Sequence, residues 1–312
     1  MKRLGLLLNE ARQATESANY TSETGVQDSE FIRAFNDAQT RIQSMILNAY
    51  PNLFQRTKEI SAVAQQSNYS NPLDLFMETR IEKIEYSANG DARNYYKLDY
   101  GFTDERCNSL SGAPSYYIRQ SKIFISNPAP DSSSGKFRMT YQGSLPALDL
   151  RRGRILAVAI DPALRMITQL ELDSSILNAD NADLLTETEY LTVVNKNGLI
   201  KMKSIPFSAV DPNTGVITLD AFTYETDETI AVGDYVVAGK YATTHSELPD
   251  IAERYLLAFA EWRVQRRDSS NDSTETNQEL KEMEAEIVLS YSRADSDVKT
   301  VPILDTSYLS FT

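Results

Sequence analysis

The residues that could carry chemistry are few and poorly spaced for it. His245 is the only histidine and Cys107 the only cysteine in 312 residues. A zinc centre draws its ligands from several imidazoles, thiolates or carboxylates, so a His- or Cys-rich zinc site is excluded. A Ser-His-Asp hydrolase would have to use His245 as its base. That histidine lies in Thr243-Thr244-His245-Ser246-Glu247, a polar join between a predicted strand and a predicted helix, and reads as a surface linker residue. Cys107 stands between Arg106 and Asn108. An adjacent guanidinium can lower a thiol pKa, but no partner base is in view, and the residue reads as an inert thiol. Asp180, Asp183 and Glu187 offer oxygen ligands for calcium, without the spacing or the glycine of an EF-hand loop. Carboxylate pairs suited to glycoside hydrolysis are too plentiful to single one out. The phosphate-binding, dinucleotide, nucleophile-elbow and zinc-protease signatures are all missing. The expectation is a non-enzyme with no cofactor and no metal.

The densest basic cluster is Arg151-Arg152-Gly153-Arg154. It suggests either a structural joint or a contact with a partner or a DNA backbone. The rest of the charge points away from nucleic-acid binding. The chain carries 44 acidic and 31 basic side chains, net −13. Residues 1–154 are net +2, residues 155–247 net −9 and residues 248–297 net −6. Such acidity suits either plain solvated faces or a surface that repels a polyanion such as DNA while letting it pass.

The elements that must position these residues follow from periodicity. Leu4, Leu7, Leu8, Ala11, Ala14 and Ala18 share one helical face over residues 1–18. After a linker from Tyr20 to Gln27, Asp28 can cap a second helix. Its stripe is Phe31, Phe35, Ala38, Ile42, Met45 and Ala49, and Pro51 ends it. Residues 79–86 and 93–100 flank Asn89-Gly90, a tight-turn signal. Short strands follow near 116–119, 122–126 and 136–141. From Ile155 to Glu247 the pattern is again β. There Ala159–Thr168 aligns without gaps to Ala209–Thr218, offset by 50 residues, with Ala, Asp, Pro, Ile and Thr identical. Each copy reads strand, Asp-Pro turn, strand, as one hairpin chemistry used twice in a barrel or sandwich. Asn197-Gly198 marks another hairpin, and residues 233–237 a last strand. Pro249 opens a helix faced by Leu248, Ile251, Tyr255, Phe259 and Trp262. Thr276 and Glu279 offer a capping box for a final helix faced by Leu280, Met283, Ile287 and Tyr291. Residues 298–312 read as an extended tail.

Two helices at each end, each with one apolar stripe, must bury those stripes, most economically against each other. The expected fold is α+β. Residues 1–50 and 248–297 form a four-helix bundle. The inserted antiparallel β region, one body or two lobes, divides into 51–150 and 151–247, and 298–312 is a docking tail. In the tail, Val301, Ile303, Leu304, Tyr308 and Phe311 are apolar in a segment too short to form a core. No stretch reaches the roughly 18 apolar residues of a membrane helix. The apolar run at the N-terminus is shorter than a signal peptide requires. We therefore expect no membrane association and synthesis in a reducing cytoplasm.

The order of elements resembles the head-to-tail adaptor, neck or connector proteins of tailed phages, in particular short-tailed ones. The likeness rests on Asp28–Gln43, on Tyr95–Leu98, Pro114–Ile118, Lys122–Pro130 and Gly135–Tyr141, and on Pro249–Ala258 with the tail from Pro302 to Tyr308. It covers most of the chain outside 155–247. The resemblance implies a dodecameric ring in the virion neck, docked under the portal protein. Such a ring extends the channel for double-stranded DNA without reading its sequence. It also attaches tail, nozzle or fibre proteins and serves genome retention and ejection. By position, it implies portal contacts from Leu280, Met283, Ile287 and Tyr291 and from Val301, Ile303, Leu304, Tyr308 and Phe311. Arg151, Arg152 and Arg154 are then candidate contacts to a partner or to the DNA backbone. The tyrosine-rich strands and the repeated hairpin leave a second reading open: a β-rich tail, baseplate or fibre component that binds surface carbohydrate.

Overall fold

A computed structural model describes residues 3–15, 26–50, 52–63, 66–76, 81–91, 93–101, 115–119, 122–125, 135–161, 166–173, 189–223, 230–248, 250–267 and 274–299. Four helices bracket the β structure: α1 (Leu4–Ala14), α2 (Asp28–Ala49), α3 (Asp250–Arg267) and α4 (Thr274–Lys299). They pool their apolar stripes into one core. Leu4, Leu7, Phe31, Phe35, Ile42, Ile46, Tyr255, Leu256 and Ile287 are all essentially sealed from solvent there. Each such large side chain is worth about 1.5–3 kcal/mol of transfer free energy. The two ends of the sequence are thus held together by burial.

Two helix starts differ from expectation. Asp28 is the first helical residue, not the cap; Gln27 occupies the cap position without a side-chain capping bond. The Asp28 carboxylate is drawn instead to Arg12 of α1. With Glu30 it places negative charge in the first turn, where the helix dipole favours it. Helix α4 begins at Thr274, ahead of the proposed capping box at Thr276.

Strands β1 (Gln55–Ser61), β3 (Ile81–Ser87), β4 (Tyr96–Lys97) and β8 (Lys136–Gln142) form one four-stranded sheet in the order β1-β8-β3-β4. A second contains β2 (Asn68–Ser70), β5 (Asp99–Tyr100), β6 (Ser115–Arg119) and β7 (Lys122–Ile125), in the order β2-β7-β6-β5. The two share a core of Tyr69, Ile84, Tyr86, Tyr116, Ile123, Phe137, Met139 and Tyr141, so several of the abundant tyrosines are packing residues. The Asn89-Gly90 turn is wider than expected. Gly90 is left-handed at φ 69°, but pairing resumes only at Tyr86↔Tyr96. Asn89 and Asp91 spend their side chains on backbone N–H groups inside the loop. Nor is the β structure wholly antiparallel. β5 pairs with β6 in parallel, and β9 (Ala147–Leu148) does so with β16 (Ala242–Thr243). Each parallel pair is joined by a long connection, as parallel pairing demands.

The remaining strands close a six-stranded barrel in the order β10-β11-β14-β13-β12-β15. They are β10 (Gly153–Asp161), β11 (Met166–Leu172), β12 (Tyr190–Val194), β13 (Ile200–Asp211), β14 (Val216–Thr223) and β15 (Tyr235–Ala238). The two echoed hairpins, β10–β11 and β13–β14, lie side by side and are joined antiparallel through β11–β14, with Leu170 opposite Ile217. The second Asp-Pro turn is set by Asp211, whose carboxylate accepts from Asn213 N at 2.9 Å and Thr214 Oγ1 at 2.8 Å. The first, over 162–165, lies outside the described residues. Ile155, Leu170, Leu191, Val193, Ile217 and Val236 fill the barrel interior. With so few strands, the inside is a packed core and not a passage.

Candidate functional site at the joint between helices and barrel

Gly143–Arg154 carries the chain from β8 along α2 and into β10. Asn36, Gln39 and Gln43 on α2 are three and four residues apart and so share one face. They grip this segment by its backbone. Gln43 Nε2 donates to Gly143 O at 2.7 Å, and its Oε1 accepts from Leu145 N at 3.1 Å. Gln39 Nε2 donates to Pro146 O at 2.9 Å. Asn36 Nδ2 donates to Leu148 O at 3.0 Å, and its Oδ1 accepts from Leu148 N at 2.7 Å. On the side pressed against a helix the backbone has no strand to pair with, and a carboxamide supplies the missing donor and acceptor together. Further on, Ala147 N and Asp149 N donate to Tyr241 O and Thr243 O, binding the segment to the chain that leaves the barrel.

The three arginines then diverge. Arg152 and Asp149 are each only 7% exposed and pair in fork geometry, Nη2–Oδ1 at 2.5 Å and Nε–Oδ2 at 3.1 Å. Asp149 Oδ2 also accepts from Ala238 N at 2.8 Å, and Arg152 N donates to Val236 O. The pair therefore pins the closing seam β10–β15. Arg151 lies 3.8 Å over the ring of Tyr235 and donates from Nη2 to Lys196 O at 2.8 Å. Burial, and then the charge of Arg3, hold its guanidinium below the usual arginine value. Arg154 is exposed. The structure does not gather the three into one basic patch.

A second polar network lies where the first sheet meets the end of the barrel. Arg56 Nη1 donates to Asp74 Oδ2 at 2.6 Å and to Tyr241 Oη at 2.8 Å, and Tyr141 Oη donates to Asp74 Oδ1 at 2.9 Å. Burial opposes ionisation of Asp74, yet the Arg56 bond, the Lys203 charge and the Tyr141 bond together hold its carboxyl below the ordinary range. Tyr141 is pushed up, first by burial and then by Asp74. Glu247 is pushed up by burial, opposed by Arg56. A Cβ at Gly143 would meet Arg56 Cδ at 2.5 Å, so a larger residue there has to displace Arg56 from this network.

His245 is not the free linker residue expected. It is partly buried, with Nδ1 2.9 Å from Thr244 Oγ1, and it sits against Gly198, whose Cβ would lie 2.3 Å from Nδ1. Burial, then Arg151 and Arg3, press its pKa down, so it is neutral near pH 7. Among the described residues no cluster of His, Cys, Asp and Glu could hold a metal ion. Cys107, Asp180, Asp183 and Glu187 lie outside the described residues, as do Val301, Ile303, Leu304, Tyr308 and Phe311. Leu280 and Ile287 are buried in the helical core, with Met283 and Tyr291 packed partly buried against it.

Sequence reasoning missed the carboxamide clamp and Asp74. Gln39 and Gln43 were readable in part, since two glutamines on the flank of an apolar stripe are out of place unless bonded. Asp74 gave no local signal.

No curated protein matches the chain. The family model described as SU10 adaptor protein matches residues 3–302, from the first turn of α1 past the end of α4. A match of that extent takes in the helical core, both sheets, the barrel and the joint that binds them, and the chain belongs to the SU10 adaptor protein family, a phage adaptor and component of the virion.

Proposed function

We propose that the protein is a head-to-tail adaptor whose copies assemble as a ring beneath the portal, extend the DNA channel and attach tail components. The observation that carries this reading is the family match over residues 3–302. The fold is consistent with it. The barrel interior is filled with side chains, so a DNA passage has to form between copies. The helical core and the barrel are tied by buried polar bonds at Gly143–Arg152, which suits a subunit that bears load along one axis.

In this reading α4 and residues 298–312 face the portal. Leu280, Met283, Ile287 and Tyr291 hold α4 onto the core, so its outward side, with Leu289 58% exposed, offers the contact surface. The apolar residues from Val301 to Phe311 extend it. Arg154 is the best placed of the three arginines to meet a partner or a DNA backbone, since Arg152 is committed to Asp149.

The test is light scattering on the purified protein, alone and mixed with purified portal rings, followed by negative-stain imaging. A ring of about twelve copies, formed alone or only on the portal, is the expected result. A monomer or trimer indifferent to the portal overturns the reading.

A further inference from the structure

The joint holds a cleft that neither the helical clamp nor the barrel seam uses. It is about 350 Å³, lined by Arg3, Leu4, Gly5, Leu150, Arg151 and Tyr235 among others. Three observations make it unusual. First, Arg3 and Arg151 both line it, and each lies close enough to weigh on its surroundings: Arg3 destabilises the charge on Arg151, and both depress His245. Bringing like charges together costs free energy unless an anion offsets it. Second, among the described residues neither arginine is ion-paired with a carboxylate. Asp149 lines the cleft too, but its oxygens are taken by Arg152 and by Ala238 N. Third, Arg151 Nε is buried with no hydrogen-bond acceptor, although Nη2 and the face of the guanidinium are both engaged. A buried N–H donor on a cation is a costly group to leave unpaired.

We infer that this cleft receives a carboxylate side chain from an acidic peptide segment of a partner protein. The oxyanion would lie between Arg3 and the guanidinium of Arg151, with Leu150 and Tyr235 beside an adjoining apolar side chain. A protein carboxylate fits better than a nucleic-acid phosphate on two grounds. The walls are mixed cationic and apolar, whereas a phosphate backbone is followed by an extended basic groove. The chain as a whole is net −13, which repels a polyanion but tolerates a single carboxylate at a local basic spot. Gly5 supplies the opening, since a Cβ added there meets nothing within 4 Å. The inference stands independently of the ring proposal.

Isothermal titration of the full chain tests it, with a short capped peptide alternating glutamate and leucine as probe. The glutamine version of that peptide, inorganic phosphate and a short DNA duplex serve as comparisons. The glutamate peptide is expected to bind, and the glutamine version about tenfold more weakly or worse, as loss of a charge-assisted bond requires. Arg3→Gln and Arg151→Gln should each weaken the glutamate peptide by a similar factor. Gly5→Asp, which places a carboxylate in the opening, should abolish binding, while Gly5→Ala should leave it intact. Arg3 is exposed and Gly5 lies in open space, so these variants keep the test valid if Arg151→Gln fails to fold. No binding of the glutamate peptide overturns the inference. So does binding that Arg3→Gln and Gly5→Asp leave unchanged, or arginine-dependent binding of phosphate or DNA as tight as that of the peptide.

Discussion

Replacing Gln43 probes the joint most directly. Its side chain is 2% exposed and satisfies two backbone groups, Gly143 O and Leu145 N. Gln43→Met keeps most of the volume and removes both bonds. Each backbone group left buried without a partner costs about 1–3 kcal/mol, so the loss should be about 2–4 kcal/mol once some water reaches the site. Gln39→Met, which leaves only Pro146 O unpaired, should cost about half as much. Gln43→Glu should do no better than methionine. It keeps an acceptor for Leu145 N but sets a carboxylate oxygen against Gly143 O. The assay is equilibrium unfolding followed by fluorescence of Trp262, the single tryptophan, which sits 5.4 Å from Phe259 in the helical core. At about 2–4 °C per kcal/mol, Gln43→Met should also lower Tm by roughly 5–15 °C. A loss under about 0.5 kcal/mol, or equal losses for Gln39→Met and Gln43→Met, would refute the idea that the carboxamides hold the segment by satisfying its backbone.

Other perturbations separate the remaining parts. Asp149→Ala should destabilise by about 3–5 kcal/mol by stranding the buried Arg152 cation, whereas Asp149→Leu with Arg152→Met should recover much of that loss, both read by urea unfolding. Gly143→Ala should displace Arg56 and cost at least about 1–3 kcal/mol, and Arg56→Ala in the same chain should add less than it does alone. The depressed His245 gives pH dependence of a defined sign. The unfolded chain takes up the proton more readily, so its contribution is fully present above the unfolded value of about 6.5 and is lost as pH falls below it. Unfolding midpoints at pH 7.5 and 5.5 should show that loss, and His245→Gln should remove the step. Asp74, held low by Arg56, Lys203 and Tyr141, adds a separate loss below about pH 4, which Asp74→Asn should abolish.

The sequence disclosed those parts of the fold whose cause is local. The stripe Phe31, Phe35, Ala38, Ile42 is a period, and the helix it predicts is α2. Asn197-Gly198 demands a left-handed residue, and Gly198 has φ 80°. The Ala159 and Ala209 hairpins read as twins, but nothing in either stated that they pair through β11–β14 or that the strands close a barrel, because closure is a matter of long-range register. The Arg151–Arg154 run shows the limit for the site. Adjacent in sequence, the three diverge where the chain enters the barrel, and the partners Asp149, Tyr235 and Lys196 of Arg151 and Arg152 are set by topology. Asp28 was misplaced by one position because a capping residue and a first-turn ion-pair residue have the same composition, and only Arg12 on another helix decides between them. His245 seemed a linker residue because its neighbours are polar, yet it is wedged against Gly198, more than forty positions upstream.

The seam of the barrel has an architectural consequence. The chain arrives at Gly153 and departs from Ala238 on strands that are hydrogen-bonded neighbours, with Gly153 opposite Val236. Paired strands are about 4.8 Å apart and Ala238 lies two residues past Val236, so the two crossing points stand about 8 Å from each other, a gap that a short linker spans. Cutting the barrel out there, or grafting another in, leaves the backbone of the helical core and of both sheets on its original course. The subunit is wired like a socket, with its two leads side by side and its plug interchangeable.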